Sequence, residues 1–257
     1  MKKAEEYYKK GNNYINKKKW KEALECYDKA IKFDPKNLYS WTGKGCILHK
    51  LGKYDKAIDC FNKSLEIKPT YTDGLYFKGN TLYTQGKYDE ASSYFDKILE
   101  RDLKYINAWN GKGNISVMKS NFDQAIKYYD KALKINPKYA KTLNNKGAAL
   151  LYKGSFKVAI QCFDKALWIN PKDASALYNK GLALYYLDKY QESLNYYNKA
   201  LKINPKFVYA WNNKGSAFCG LKNYEDALKC YKRALEINPN HTNAVNNKDE
   251  ILKVILN

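Results

Sequence analysis

Apolar residues return along this chain with a period of 34, in two runs of helical spacing per period. With Ala4 as position 1, position 4 is bulky (Tyr7, Trp41, Leu75, Trp109, Leu143, Leu177, Trp211) and position 8 is glycine (Gly11, Gly45, Gly79, Gly113, Gly147, Gly181, Gly215). Positions 4, 8 and 11 share one face of a first helix. Position 17 is aromatic in every period, position 20 is alanine in all but Ser193, and position 24 is again aromatic, from Tyr27 to Tyr231. With position 28 these make one face of a second helix. A mid-helix glycine costs about 1 kcal/mol against alanine. Seven in register call for a reason, and close approach of the two helices, over Gly at 8 and Ala at 20, is the expected one.

The punctuation obeys the same frame. All six prolines, Pro35, Pro69, Pro137, Pro171, Pro205 and Pro239, fall at position 32, where they end the second helix. Leu103 occupies that position in the remaining period. Gly52, Gly86 and Gly154 stand where the first helix should close in a left-handed residue. The frame predicts seven repeats, 4–37, 38–71, 72–105, 106–139, 140–173, 174–207 and 208–241, and a terminal helix at 242–257, as one domain over 1–257. The octapeptide KALKINPK, at 131–138 and again at 199–206, is the end of repeats 4 and 6.

The stretch ALYNKGLALYYLDKYQESLNYYNKALKINPK resembles the tetratricopeptide repeat, and the likeness runs in register over 4–257. The resemblance implies an all-α fold: a right-handed superhelical solenoid of antiparallel helix pairs, with the first helices lining a concave groove. A lone hairpin cannot bury both of its apolar faces, so neighbours must stack. Two departures stand out. Position 7 is lysine in every repeat (Lys10, Lys44, Lys78, Lys112, Lys146, Lys180, Lys214), which reads as a structural column whose stems are buried while the ammonium groups reach outward. Repeat 3 carries Ile98, Arg101 and Leu103 where Ala, Ile and Pro are usual, which predicts a shifted apolar phase and a local bend.

Composition narrows the function. The net charge of +20 points toward acidic partners, but 44 of the 46 basic residues are lysine, and the chain holds 27 asparagines and 25 tyrosines. That bias fits an A+T-rich coding sequence better than a surface built to grip phosphate, which would favour the arginine fork. No run of ~20 apolar residues could span a membrane, and the first residues, MKKAEEYYKK, lack the apolar core of a secretion signal. A cytoplasmic protein is expected. Cys26, Cys60, Cys162 and Cys230 share position 23, a packing column, and form no metal or disulfide pattern. His49, one turn beyond Cys46, makes at most half a metal site. No nucleophile–base set and no phosphate loop appears, so neither catalysis nor a cofactor nor a metal is expected.

The resemblance places positions 2, 5, 6, 9, 12 and 13 on the groove. A clamp on chaperone carboxylates, one use of that groove, needs a basic residue at position 5, and no repeat has one. Position 6 instead reads Lys9, Gly43, Phe77, Gly111, Asn145, Asn179, Asn213, Asn247. The four asparagines are similar to the ladder in the repeat region of O-linked N-acetylglucosamine transferase, which holds a peptide by its backbone. An amide can donate to a peptide carbonyl and accept from its N–H. Tyr152, Tyr178, Leu182, Tyr185 and Tyr186 lie around the ladder and would take apolar side chains. The expected function is a non-enzymatic scaffold for a protein or peptide partner. The alternative is a basic scaffold that binds RNA or another polyanion on its outer surface, against which stands the scarcity of charge in the groove columns. In the terminal helix Val245, Leu252 and Ile255 are expected to pack on repeat 7, leaving Ile251, Val254 and Leu256 uncovered and the helix open to self-association.

Overall fold

The computed structural model describes residues 2–256, without the side chain of Leu256. Fifteen α-helices and no strand occur among the described residues. They pair as α1 (Lys2–Asn16) with α2 (Trp20–Phe33), α3 (Leu38–Lys50) with α4 (Tyr54–Ile67), and α5 (Thr72–Thr84) with α6 (Tyr88–Leu99). After α7 (Ile106–Met118) and α8 (Phe122–Ile135), α9 (Ala140–Tyr152) pairs with α10 (Phe156–Ile169), α11 (Ala174–Tyr185) with α12 (Tyr190–Ile203), and α13 (Val208–Gly220) with α14 (Tyr224–Ile237). Then comes α15 (Thr242–Leu256), which packs on α14. The packing divides into two compact units, Met1–Ile115 and Ser116–Asn257.

Within the units, α2, α4, α10, α12 and α14 each lie between their own first helix and the first helix of the next repeat. The position-24 ring is the centre of the core: Tyr27, Phe61, Phe95, Phe163 and Tyr197 are fully buried. These rings lie nearest to the glycines, and in repeat 6 the second helix's backbone comes close as well, since a Cβ on Gly181 would lie 3.3 Å from the Ser193 carbonyl oxygen. A Cβ on Gly45 would lie 2.5 Å from Phe61 Cε1, and one on Gly215 2.6 Å from Tyr231 Cε1. The far side of the same ring meets position 10 of the following repeat. Ile47 packs on Tyr27, Ala149 on Tyr129, Ala183 on Phe163, Ala217 on Tyr197 and Ile251 on Tyr231. Position 3 beside it is equally buried, as Ser40, Ala108, Thr142, Ala176, Ala210 and Ala244. The first helix therefore buries two stripes, of which the 4–8–11 spacing showed only one. In repeat 1, where no preceding helix is among the described residues, those positions are Glu6 and Asn13, both exposed.

This second stripe corrects the reading of α15. Ile251 is buried against Ala227 and Tyr231, whereas Ile255 is 49% and Val254 52% exposed. The helix turns position 10 inward because the preceding ring needs a cover there. The Leu256 side chain lies outside the described residues.

The lysine column is structural in a more specific way than stem burial. Position 7 reaches position 25 of the preceding repeat: Lys44 to Asp28 at 2.6 Å, Lys146 to Asp130 at 2.6 Å, with Lys112 to Asp96 and Lys180 to Asp164 also paired. Lys78 donates to the neutral Asn62 at 2.6 Å. Helix ends follow expectation at Gly52, Gly86 and Gly154, with φ of +74°, +77° and +80°. Lys18, Ser120, Asp188 and Lys222 adopt the same left-handed turn in the other repeats. In repeat 3, α6 ends at Leu99, two residues before position 30, where the other second helices stop. Ile98 and Leu99 stay buried while Arg101 and Leu103 face solvent. The joint to α7 nevertheless keeps its tie, since Trp109 Nε1 donates to the Leu103 carbonyl at 2.9 Å.

Candidate peptide-binding face

The first helices of the second unit, α9, α11, α13 and α15, touch one another in sequence. Each brings its sixth position to the same level. Asn145, Asn179, Asn213 and Asn247 are all half-buried there. They are not bare amides. Asn179 Nδ2 donates to Asn144 Oδ1 at 3.1 Å, Asn213 Nδ2 to the Tyr178 hydroxyl at 2.9 Å, and Asn247 Nδ2 to Asn212 Oδ1 at 3.2 Å. In each case position 6 is tied to position 5 of the repeat before it. Asn212 Nδ2 also donates to Asn213 Oδ1 at 3.0 Å. An amide has two N–H groups and two acceptor lone pairs, so Asn179, Asn213 and Asn247 keep hydrogen-bonding capacity beyond these ties.

Position 5 is the part that the periodicity did not single out. A signal was present, because the doublet Asn-Asn occurs at 144–145, 212–213 and 246–247. Two adjacent amides on one helix can each face a different neighbour, one forward and one back along the row.

The aromatic residues expected around the ladder divide into two groups. Tyr178 belongs to it directly, as acceptor for Asn213, and stacks obliquely on Phe207 at 4.8 Å and Tyr197 at 6.0 Å. Burial pushes its phenol well above the usual tyrosine range, reinforced by Tyr152, Tyr186 and Tyr209, so it stays a neutral hydroxyl. Tyr152 and Tyr186, 65% and 52% exposed, form a flanking group. Each lies flat on an aromatic residue of the preceding repeat, Phe122 at 5.6 Å and Phe156 at 5.1 Å. Tyr185 meets Tyr186 edge-on at 5.7 Å, and Leu182 packs down on the cluster around Leu150 and Phe163. The row therefore offers fixed polar groups beside open, preformed aromatic surfaces.

Beneath it sits an unusual phenol. Tyr27 gives its hydroxyl proton to Asn12 at 2.5 Å, and Tyr231 lies 3.3 Å from the Ser216 hydroxyl; Asn12 and Ser216 are both at position 9. In repeat 6 position 9 is Leu182, and the buried Tyr197 hydroxyl finds no protein acceptor.

No group of three or more His, Cys, Asp or Glu able to hold a metal occurs among the described residues. His49 is engaged elsewhere. Its Nδ1 lies 2.9 Å from Thr81 Oγ1, whose own proton goes to the Phe77 carbonyl, so His49 is the donor. Among the described residues no helix is long and apolar enough to cross a membrane.

Comparison with known proteins agrees with the fold. Family models described as tetratricopeptide repeat match residues 39–71, 106–139, 174–207 and 208–241, then 4–37 and 72–105, and one described as TPR repeat matches 147–188. Over 54 residues the chain is 44% identical to an uncharacterised protein of Methanocaldococcus jannaschii, covering 21% of this chain and 63% of that one. Among solved structures, the Cut9–Hcn1 hetero-tetramer of the APC/C aligns with a TM-score of 0.81 at 19% identity, over 88% of this chain and 45% of that one. A tetratricopeptide repeat protein of Parabacteroides merdae aligns with a TM-score of 0.76 at 16% identity, over 98% and 100%. YrrB, described as a TPR protein with an unusual peptide-binding site, aligns with a TM-score of 0.57 at 24% identity, over 75% and 99%. At such identities the likeness is one of fold.

Proposed function

The chain belongs to the tetratricopeptide repeat family, whose members are typically non-catalytic scaffolds for protein–protein interaction, and from that premise we propose that its second unit holds an extended peptide along Asn145, Asn179, Asn213 and Asn247. The observation that carries this reading is the tie of Asn179, Asn213 and Asn247 to position 5 of the repeat before. It fixes these amides in orientation, which lowers the entropy lost when a ligand binds. That YrrB is described as having a peptide-binding site adds general support.

Adjacent helices pack ~8–10 Å apart, and an extended chain rises ~3.3 Å per residue. One rung therefore meets about every third residue of the ligand. Each net hydrogen bond contributes roughly 0.5–1.5 kcal/mol, so the row by itself binds weakly and reads backbone. Selectivity comes from Tyr152, Tyr178, Leu182, Tyr185 and Tyr186, which offer apolar and aromatic contacts to side chains.

The test is a random-peptide selection on the immobilised protein, followed by titration of the selected peptides. Asn179→Ala with Asn213→Ala is expected to weaken them at least tenfold, about 1.4 kcal/mol. Because both amides also tie repeats together, the double variant should lose roughly 1–2 kcal/mol of stability. Asn144→Ala, which removes only the partner of Asn179, separates the two roles. Unchanged peptide affinity in the folded double variant would reject the groove.

The polyanion reading finds less support. Four lysines of position 7 are paired with aspartates, which removes them as phosphate contacts.

A further inference from the structure

Position 4 differs among the repeats in what it offers the carbonyl at position 32 of the repeat before. In repeats 2, 4 and 7 it is tryptophan, and Trp41, Trp109 and Trp211 each donate Nε1 to the carbonyl of position 32 in the preceding repeat, at 2.9 Å in all three. In repeats 5 and 6 the same position is Leu143 and Leu177, which bring no donor to the carbonyls of Pro137 and Pro171. Open pockets stand there instead. One of about 430 Å³ is lined by Pro137, Leu143 and Ile169, with Lys138 and Lys165 at its margin. Its counterpart of about 500 Å³, one repeat on, is lined by Pro171, Leu177 and Ile203 with Lys172, Lys199 and Lys202.

The first pocket has a further feature. Position 29 is Lys or Glu in every repeat except the fifth, where it is Trp168. That indole lines the pocket and is 74% exposed, with Lys138 Nζ 5.6 Å from its ring centre. Most of its aromatic face is thus left in water beside an apolar pocket. The only carboxylate lining this pocket, Asp164, is already paired with Lys180.

We propose that this pocket captures a tryptophan side chain of an acidic partner segment. The fold itself supplies the template: three sibling repeats fill the equivalent place with an indole whose N–H binds the equivalent carbonyl. A partner's indole would donate to the Pro137 carbonyl and lie against Trp168 and Leu143. Carboxylates on either side would meet Lys138 and Lys165. The occupant is a protein segment rather than RNA because the walls are apolar, offer a carbonyl acceptor suited to an indole N–H, and carry lysines without an arginine fork for phosphate.

The experiment uses the full chain and fluorescent synthetic peptides with a single tryptophan flanked by Glu and Asp, each paired with a peptide bearing Ala for Trp, and a single-stranded oligouridine. The tryptophan peptide is expected to bind, and its alanine partner at least tenfold more weakly. Leu143→Trp, which fills the pocket from within as the siblings do, should abolish binding, and Trp168→Lys, which restores the usual residue type of the column, should weaken it about tenfold. Trp168→Phe should stay within threefold. Leu177→Trp, in the twin pocket that lacks Trp168, should change little. Thermal melts establish that each variant is folded, and Trp168→Lys carries the test should Leu143→Trp fail to pack. Equal binding of the Trp and Ala peptides, absence of binding at physiological salt, or indifference to both Leu143→Trp and Trp168→Lys would overturn the proposal. So would tighter binding of the oligouridine that is lost in the same variants.

Discussion

The two units carry the same 34-residue frame yet fill its sixth position in opposite ways. In the first unit, after Lys9 in repeat 1, it is Gly43, Phe77 and Gly111. A Cβ on Gly43 would lie 2.6 Å from Tyr27 Cζ, and one on Gly111 would press on the Phe95 ring. Phe77 stacks on Phe61 at 6.2 Å. There the position serves packing, because the ring of the preceding repeat comes up against it. In the second unit it is asparagine throughout, half-buried, and Asn179, Asn213 and Asn247 hydrogen-bond to the repeat before. One register position can thus belong to the core or to a polar row, and the residue placed there decides which.

Moving the ladder into the first unit should break it. Gly111→Asn and Gly43→Asn are each expected to cost about 1–3 kcal/mol through overpacking, despite the better helix propensity of asparagine. Shifts in urea midpoint measure this, and wild-type stability would mean that the rings can move aside freely. Phenols give the next contrast. Tyr27→Phe removes a satisfied hydrogen bond to Asn12 and should lose about 1 kcal/mol. Tyr197→Phe removes a buried hydroxyl that has no protein acceptor, and should gain stability of similar size. A loss at Tyr197 would show that its hydroxyl is satisfied after all.

The smallest effects concern the inter-repeat lysines. Asp164→Asn replaces the carboxylate partner of Lys180 with the amide that Lys78 already uses at Asn62. A loss of under ~1 kcal/mol is expected, since the Asp164 side chain is 52% exposed and solvent screens the pair. The reverse change, Asn62→Asp, should gain a few tenths of a kcal/mol. Both effects should shrink in high salt; equal responses to salt in wild type and variants would show that the column acts by packing alone.

The repeat frame, the helix pairs and the turns were legible in the sequence because each rests on a local rule with a fixed offset. Helical spacing put positions 4, 8 and 11 on one face, proline at 32 ended the second helix, and glycine at 15 closed the first. The asparagine row was legible too, as a column. What contacts that column was not, since Asn179 and Asn144 lie 35 residues apart and only stacking brings them together. The pairing of Lys180 with Asp164, 16 residues earlier, has the same origin.

Sequence alone therefore determined the number and order of the helices and the register of the columns, through propensities and periods that act within one or two turns. Tertiary structure decided which face each column meets. It assigned the mid-helix glycines to neighbouring rings, gave the first helix a second buried stripe through Ile47, Ala183 and Ile251, and turned Ile251 rather than Ile255 inward. It also left pockets beside Leu143 and Leu177 where other repeats carry an indole. The physical reason is that a side chain's environment depends on the volume and hydrogen-bonding groups its neighbours bring, and in a stacked repeat those neighbours come from the preceding and following copies.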